Sequence, residues 1–400
     1  MNTSLSNNVH WVGYVDWSVR DFHGYRTERG STYNAYLVSA RKPALIDTVK
    51  APYAADLLDH VRACMPLEHL DFIVCNHAEP DHAGGLGQVV AACPNATVVC
   101  NKKCSEALSL HFDTSGWKIR IVADGEKLDL GGCTLQFFDT PMVHWPESMA
   151  TYLVEEQILF SMDAFGQHYA AAWRFDDEAP LDVLLAEAKT YYANIVMPYG
   201  RPVAAALAKL GTLPLKMIAP SHGVIWRSHI GKIMAAYQDW MVCKAARKVV
   251  VVYVSMWNST RTMAQAIAAG ALESDVDVRL IDIDTVHDTE LVPEALDCAC
   301  LAVGSPTLNQ GIMPRMASAL TYLRGLRPSG KTGMAFGSYG WAPRGIDELA
   351  QYLQAMQVTP LCDPITCRFR PDAAMLEKCR EAGRLLARKA MAANTEVRIQ

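Results

Sequence analysis

No apolar run in this 400-residue chain approaches the roughly 20 residues that a membrane helix needs. The longest runs, such as Val249–Val254, are strand-sized, and the opening Met1–His10 is polar, without the apolar centre of a signal peptide. These absences predict a cytoplasmic protein with no membrane partner. A basic excess is missing as well: 37 Lys and Arg stand against 42 Asp and Glu, a formal net charge of −5, so nothing recommends nucleic acid as a partner. No two cysteines fall in CxxC spacing, which removes the zinc knuckle, the rubredoxin-type iron site and the thioredoxin-type redox centre. One-electron iron–sulfur chemistry would have to come from a partner. Also missing are GxxxxGK[ST] and, after a strand, GxGxxG, so nucleoside triphosphate and dinucleotide sites lack support.

Half the residues are hydrophobic, enough to bury a core in each of the two or three domains that the length predicts. The twelve cysteines are scattered, several inside apolar runs, and read as reduced, buried thiols rather than a disulfide framework. The chain falls into two halves, 1–247 and 248–400, joined where a predicted helix over His229–Arg247 meets a new strand. In the second half strands at 248–254, 277–282, 298–303 and 332–336 alternate with helices, which predicts a doubly wound parallel sheet of flavodoxin size. The first half has many short strands and few helices, which predicts packed sheets flanked by helices.

The most informative stretch is Asp71-Phe-Ile-Val-Cys-Asn-His77-Ala-Glu79-Pro-Asp81-His82-Ala-Gly84-Gly85. An apolar strand ends at Cys75, His77, Glu79, Asp81 and His82 follow, and a Gly-Gly step opens a helix. Loops leaving the carboxyl ends of strands are where α/β folds build ligand sites. Read as an extended turn, this loop sends His77, Glu79 and Asp81 one way and His82 the other, and so can serve two metals side by side. His144, Asp163 and His222 stand in comparable settings, each just past an apolar strand. Taken singly, either histidine reads as a hydrogen-bonded core residue and Asp163 as a cap or turn former. The loop cluster is different, because four such groups are costly to bury without a metal or each other. Imidazole and carboxylate without thiolate suit iron, manganese or zinc.

The pattern resembles the metallo-β-lactamase superfamily, whose loop reads His-x-His-x-Asp-His with later His, Asp and His ligands. Here Glu79 replaces the second histidine, and with that departure nearly the whole chain resembles the flavodiiron proteins (A-type flavoproteins). The resemblance implies an N-terminal metallo-β-lactamase-like αββα sandwich followed by a flavodoxin-like domain. It also implies one iron on His77, Glu79 and His144, a second on Asp81, His82 and His222, and Asp163 bridging them. His23, in Asp21-Phe-His23-Gly-Tyr25, would lie near the metal pocket.

In the second half, Ser255-Met256-Trp257-Asn258-Ser259-Thr260 joins a strand to a helix start, where hydroxyls and backbone N–H groups can satisfy a phosphate. Alone it reads equally well as a capping segment. Two further strand-end loops carry small residues and aromatics suited to a planar ring: Pro306-Thr307-Leu308-Asn309 with Gly311, and Ser338-Tyr339-Gly340-Trp341. They resemble the FMN loops of flavodiiron proteins, with the first at the phosphate and the other two around the isoalloxazine.

The resemblance implies an FMN- and diiron-dependent reductase of O2 to water, of NO to N2O, or of both. A rubredoxin-like donor and a head-to-tail homodimer or dimer of dimers are implied with it. The alternatives are a dizinc hydrolase fused to a flavodoxin domain, and a flavin carrier or sensor whose metal loop is vestigial.

Overall fold

The computed structural model describes residues 3–393, so the outer ends of the two expected domains, 1–2 and 394–400, lie outside the described residues. The chain divides into two compact units. The first runs to Tyr191 and resumes over Arg201–Gln238; the second takes Tyr192–Gly200 and the chain from Asp239 onward. This division lies somewhat before the expected join at 247/248, for a local reason. The helix predicted over His229–Arg247 covers only Ile230–Trp240, because Cys243 turns the backbone to φ 45°, outside the helical range. Trp240 then packs against Tyr192 with the rings tilted by 45° and their centroids 5.4 Å apart, within the second unit.

The first unit is built on two sheets. The larger has seven strands in the order Thr3–Ser4, Val9–Trp11, Tyr36–Val38, Ala44–Ile46, Phe72–Val74, Thr97–Cys100 and Ile119–Ile121. The smaller has five, in the order Lys127–Asp129, Thr134–Asp139, Met149–Leu153, Ile158–Met162 and Met217–Pro220. Val38, Ile46, Val74 and Val99 of the larger sheet share one buried core with Leu135, Phe137, Leu153 and Phe160 of the smaller. Each such side chain, fully buried, stabilises the fold by about 1.5–3 kcal/mol, which sets the two sheets face to face. The helix Ala54–Arg62 shows how the flanking layer forms: Ala54, Leu57, Leu58 and Val61 make one apolar stripe, and only that stripe is buried.

The second unit carries a parallel sheet in the order Asp277–Asp282, Lys248–Tyr253, Cys300–Gly304 and Thr332–Tyr339, with Thr359–Pro360 and Ile365–Arg368 both pairing the last of these. All six residues of Lys248–Tyr253 are buried, as a central strand covered on both faces requires. Numbered along the chain this is the 2-1-3-4-5 order of a flavodoxin-like sheet, whose crevice lies where the order reverses, between the first and third strands. Among the described residues no helix is long and apolar enough to cross a membrane.

Candidate metal and flavin sites

The loop after Phe72–Val74 does not stay extended. Pro80 fits the first helical position and starts a single helical turn, Pro80–Ala83. This corrects the expected direction of Asp81: it turns away from His77 and Glu79 and sits beside His82. The remaining candidates emerge from neighbouring strand ends of the smaller sheet. Asp163 follows Ile158–Met162 and His222 follows Met217–Pro220, two parallel strands that end together. Gly223 lets the chain turn at once after His222. Its φ is +77°, and a Cβ there would meet Gln167 Oε1 at 1.8 Å.

Two like-built groups result, His77, Glu79, His144 and Asp163 in one and Asp81, His82 and His222 in the other. In the first, Glu79 Oε2 lies 3.2 Å from His77 Nε2 and 3.1 Å from His144 Nε2. In the second, Asp81 Oδ2 lies 3.1 Å from the Nε2 atoms of both His82 and His222. Asp163 spans the pair. Its Oδ2 is 3.5 Å from His77 Nε2 and 3.3 Å from His144 Nε2, and its Oδ1 is 3.2 Å from His82 Nε2 and 3.5 Å from His222 Nε2. All seven sequence candidates therefore converge.

The imidazoles are held from behind. Glu147 Oε1 accepts from His77 Nδ1 at 2.7 Å, and the Thr32 carbonyl accepts from His222 Nδ1 at 2.6 Å. Each bond fixes the tautomer that leaves Nε2 free to face the site. Burial disfavours charge on these groups, yet their mutual attraction outweighs it. His82, beside Asp81 and Asp163, is raised well above the ordinary histidine value, and His144 is pushed up to about 10 by Asp163 and Glu79. Conversely, the hydrogen bonds from His144 and His77 hold Glu79 at about 2, and His82 keeps Asp163 well below the carboxylate range.

The donor set fits a pair of metal ions. Buried and without hydrogen-bond partners are Asp81 Oδ1 and His82 Nδ1, while His82 Nε2 faces carboxylates and Asp163 Oδ2 faces imidazoles; an unpartnered buried group costs about 1–3 kcal/mol unless something binds there. Mixed imidazole and carboxylate ligation without thiolate suits iron, manganese or zinc. His23 lies at the rim, two-thirds exposed, with Nδ1 3.6 Å from Glu79 Oε1.

Sequence reasoning missed the supporting groups. Glu147 stands three residues after His144, a spacing that offered a signal; Ser31, Thr32 and His168 offered none. His168 is buried, donates to or accepts from Ser31 Oγ at 2.7 Å, and packs against Phe22, Tyr25, Tyr191 and His222. Burial and then the neighbouring His222 push it well below the ordinary value, so it is neutral.

In the second unit the three predicted loops all leave carboxyl ends of the sheet. Asn258 takes a left-handed turn (φ 67°) that directs the chain into the helix Ser259–Ala271. Thr260 Oγ and Ser338 Oγ lie 3.0 Å apart, and Thr307 N donates to the Ser338 carbonyl at 2.9 Å, so the three loops brace one another. Asn309 and Gln310 turn with positive φ, pairing Leu308 with Gly311. Ser255 Oγ accepts from Arg261 N at 3.3 Å, Pro306 takes the Ser305 hydroxyl on its carbonyl, and Tyr339 and Gly340 continue the strand end. Trp257 and Trp341 are both 82% exposed and Met256 is partly so. Large apolar surface of this kind beside a strand-end crevice marks a binding face.

A lactamase-type sandwich carrying two N/O metal triads, followed by a flavodoxin-type sheet, defines a metal-binding flavoprotein of two domains. The family described as ODP family beta lactamase matches residues 32–223, and the flavodoxin family matches 251–383. The chain is 39% identical over 389 residues to the nitric oxide reductase of Moorella thermoacetica, covering 96% of this chain and 98% of that protein. It superposes on the flavodiiron protein of Giardia intestinalis with a TM-score of 0.96, at 38% identity and 98% coverage of both chains. On the rubredoxin oxygen:oxidoreductase of the anaerobe Desulfovibrio gigas the score is 0.97, at 36% identity, covering 99% of this chain and 100% of that one. The chain belongs to the flavodiiron protein family.

Proposed function

We propose that this protein is an FMN- and diiron-dependent oxidoreductase that reduces O2 to water, NO to N2O, or both, with electrons from a rubredoxin-like donor. The observation that carries the reading is the placement of one carboxylate, Asp163, between two triads of matching construction. His77, Glu79 and His144 would hold one iron and Asp81, His82 and His222 the other, with Asp163 within reach of both groups. When bound, the irons supply open coordination positions for a diatomic gas, and FMN supplies electrons one at a time.

The chain's own contribution is positioning and shielding. Glu147 and Thr32 aim the Nε2 atoms of His77 and His222, and the carboxylates of Glu79, Asp81 and Asp163 would offset the metal charge. Phe22, Tyr25, Tyr191 and Trp145 are packed against the ligand histidines or against His168, and they keep bulk water from that side of the site. In the second unit Ser255, Asn258, Ser259 and Thr260 would receive the FMN phosphate, with Met256 and Trp257 beside them. Pro306 to Asn309, Gly311 and Ser338 to Trp341 would flank the ring. The activities named for the Moorella and Desulfovibrio relatives favour this reading over a dizinc hydrolase.

Metal and flavin analysis tests it directly: two irons and one FMN per chain support it, and two zincs sink it. Glu79→Ala and His144→Ala should each abolish consumption of O2 and NO by the iron-loaded, donor-reduced protein. A head-to-tail homodimer is part of the proposal, and full activity in a 44 kDa species on ultracentrifugation would refute that part. Twelve free cysteines suit a reducing compartment, and we place the enzyme in the cytoplasm.

A further inference from the structure

A line of tyrosines leads away from the metal-site histidine that faces Thr32. The Tyr33 ring stands edge-on to His222 with centroids 6.0 Å apart. Tyr33 stacks on Tyr53 at 5.6 Å, and Tyr53 stacks on Tyr14 at 3.8 Å with 10° between the planes. Tyr33 is fully buried, whereas Tyr53 and Tyr14 are partly exposed. One oxygen, Asp16 Oδ2, accepts from both Tyr33 Oη (3.3 Å) and Tyr53 Oη (2.9 Å). The other, Oδ1, is held by Ser18 N, Ser18 Oγ and Val19 N.

We propose that Tyr33, Tyr53 and Tyr14, with Asp16 as shared proton acceptor, form a route that carries oxidising equivalents from the metal site to the surface. The proposal rests on the reading of the site as an O2- or NO-reducing diiron centre. Its occasion is oxidant without enough donor electrons, when hydrogen peroxide or another O2-derived oxidant is present at the site. In the first step Tyr33 gives an electron to that oxidant and its phenolic proton to Asp16 Oδ2, since an oxidised phenol is a strong acid. In the second, an electron passes from Tyr53 to Tyr33. The Tyr53 proton moves onto Asp16 as the earlier proton returns to Tyr33, so the hop leaves Asp16 unchanged. In the third, Tyr14 reduces Tyr53, which takes back the proton held by Asp16, and Tyr14 releases its own proton to water. One H2O2 takes two such electrons and two protons to give two H2O, leaving two tyrosyl radicals for reductants in solution to quench.

Charge sets the direction. Lys50 Nζ stands 4.8 Å over the Tyr33 ring, and a cation there makes Tyr33 the hardest of the three to oxidise. Asp16 is shared by Tyr33 and Tyr53 and does not separate them; Asp81 also lies near Tyr33 but would have its charge offset by a metal, whereas the Asp56 carboxylate beside Tyr53 and Tyr14 favours an electron-deficient ring there. The hole therefore moves outward. A neutral tyrosine cannot be reduced by a low-potential donor and so cannot pass donor electrons inward, and this path does not compete with flavin for supplying the metals.

The test uses the full, iron-loaded protein, assayed first for iron content and for gas consumption with excess donor. The protein is then mixed, without donor, with hydrogen peroxide in excess over its stored electrons, in the presence of the nitroso spin trap 2-methyl-2-nitrosopropane, and adducts are mapped by peptide mass spectrometry. The expected wild-type adduct is on Tyr14. In Tyr53→Phe that adduct is lost and oxidative mass increments appear on peptides lining the metal site, while iron content and donor-saturated turnover stay at wild-type levels. In Tyr14→Phe the adduct shifts to Tyr53. Wild-type protein that holds iron and turns over but gives no Tyr14 adduct, or the same adducts in Tyr53→Phe, overturns the route and leaves the diiron reading standing. Failure of the wild-type protein to bind iron overturns both.

Discussion

Removing Glu147 should loosen one metal and spare the other. Its carboxylate is 5% exposed and accepts from His77 Nδ1 at 2.7 Å and from Ala78 N at 3.2 Å, so it sets both the ring orientation and the backbone of one ligand. Partners of this kind are worth about 10–100-fold in metal affinity, which is about 1.4–2.7 kcal/mol. Glu147→Ala should show that loss at the site formed by His77, Glu79 and His144. The site of Asp81, His82 and His222 should stay near wild type, because its His222 is held by the Thr32 carbonyl instead. Glu147→Gln keeps an acceptor for the imidazole N–H and should lose less, about tenfold at most. The assay is iron(II) titration of metal-free protein against a competing chelator, with the two binding steps resolved and circular dichroism confirming the fold. Unchanged affinity at both steps in Glu147→Ala, or a loss confined to the second site, would refute the reasoning.

Metal uptake should release protons and strengthen with rising pH, because His82 and His77 have raised pKa values, His144 sits at about 10, and each must be neutral to bind; calorimetry in buffers of different ionisation enthalpy reads the release, and pH-independent uptake would contradict it. The metal-free fold should be most stable between the two ends of the same pairs. His144, raised, contributes stability below about 6.5 that fades as pH climbs through about 10, and Glu79, lowered, contributes stability above about 4.5 that fades as pH falls toward 2; a thermal melt series with no such maximum would count against it. Asp176 is fully buried and accepts from Arg227 N, Ser228 N and His229 N as the chain enters the helix Ile230–Trp240, so Asp176→Ala should cost about 3 kcal/mol in urea unfolding, and a loss under 1 kcal/mol would show that the bonds matter little. Thr260→Val breaks the contact with Ser338 between two flavin loops and should weaken FMN binding about tenfold, measured by flavin fluorescence; unchanged affinity would move the phosphate site elsewhere.

The ligand residues were legible because each follows an apolar strand and is itself of a type that burial does not tolerate unpaired. Their grouping was less so: an extended loop puts Asp81 with His77, and only the helical turn begun at Pro80 reverses it. The flavodoxin-like half read well because its central strands, Lys248–Tyr253 and Cys300–Gly304, are fully buried and nearly continuous apolar runs. The helix Asp288–Asp297 escaped notice because Pro293 stands inside it, against the usual penalty for proline there. Lys102–His111 is a polar helix fixed by one side chain, Asn101, which accepts from Cys104 N at 2.9 Å. Thr32 acts through its backbone carbonyl, so its side-chain identity announces nothing, and His168 has meaning only once Ser31, Tyr191 and His222 are folded around it.

His77, Glu79, Asp81 and His82 follow a strand of the larger sheet of the first unit, and His144, Asp163 and His222 follow strands of the smaller. Ions gripped by all seven would act as rivets through the open edge of a two-layered laminate. Extracting them should therefore let the layers part at that edge before either layer frays internally, so the earliest amides to exchange with solvent in stripped protein should be those flanking Asn76 and Ser221, where the layers meet.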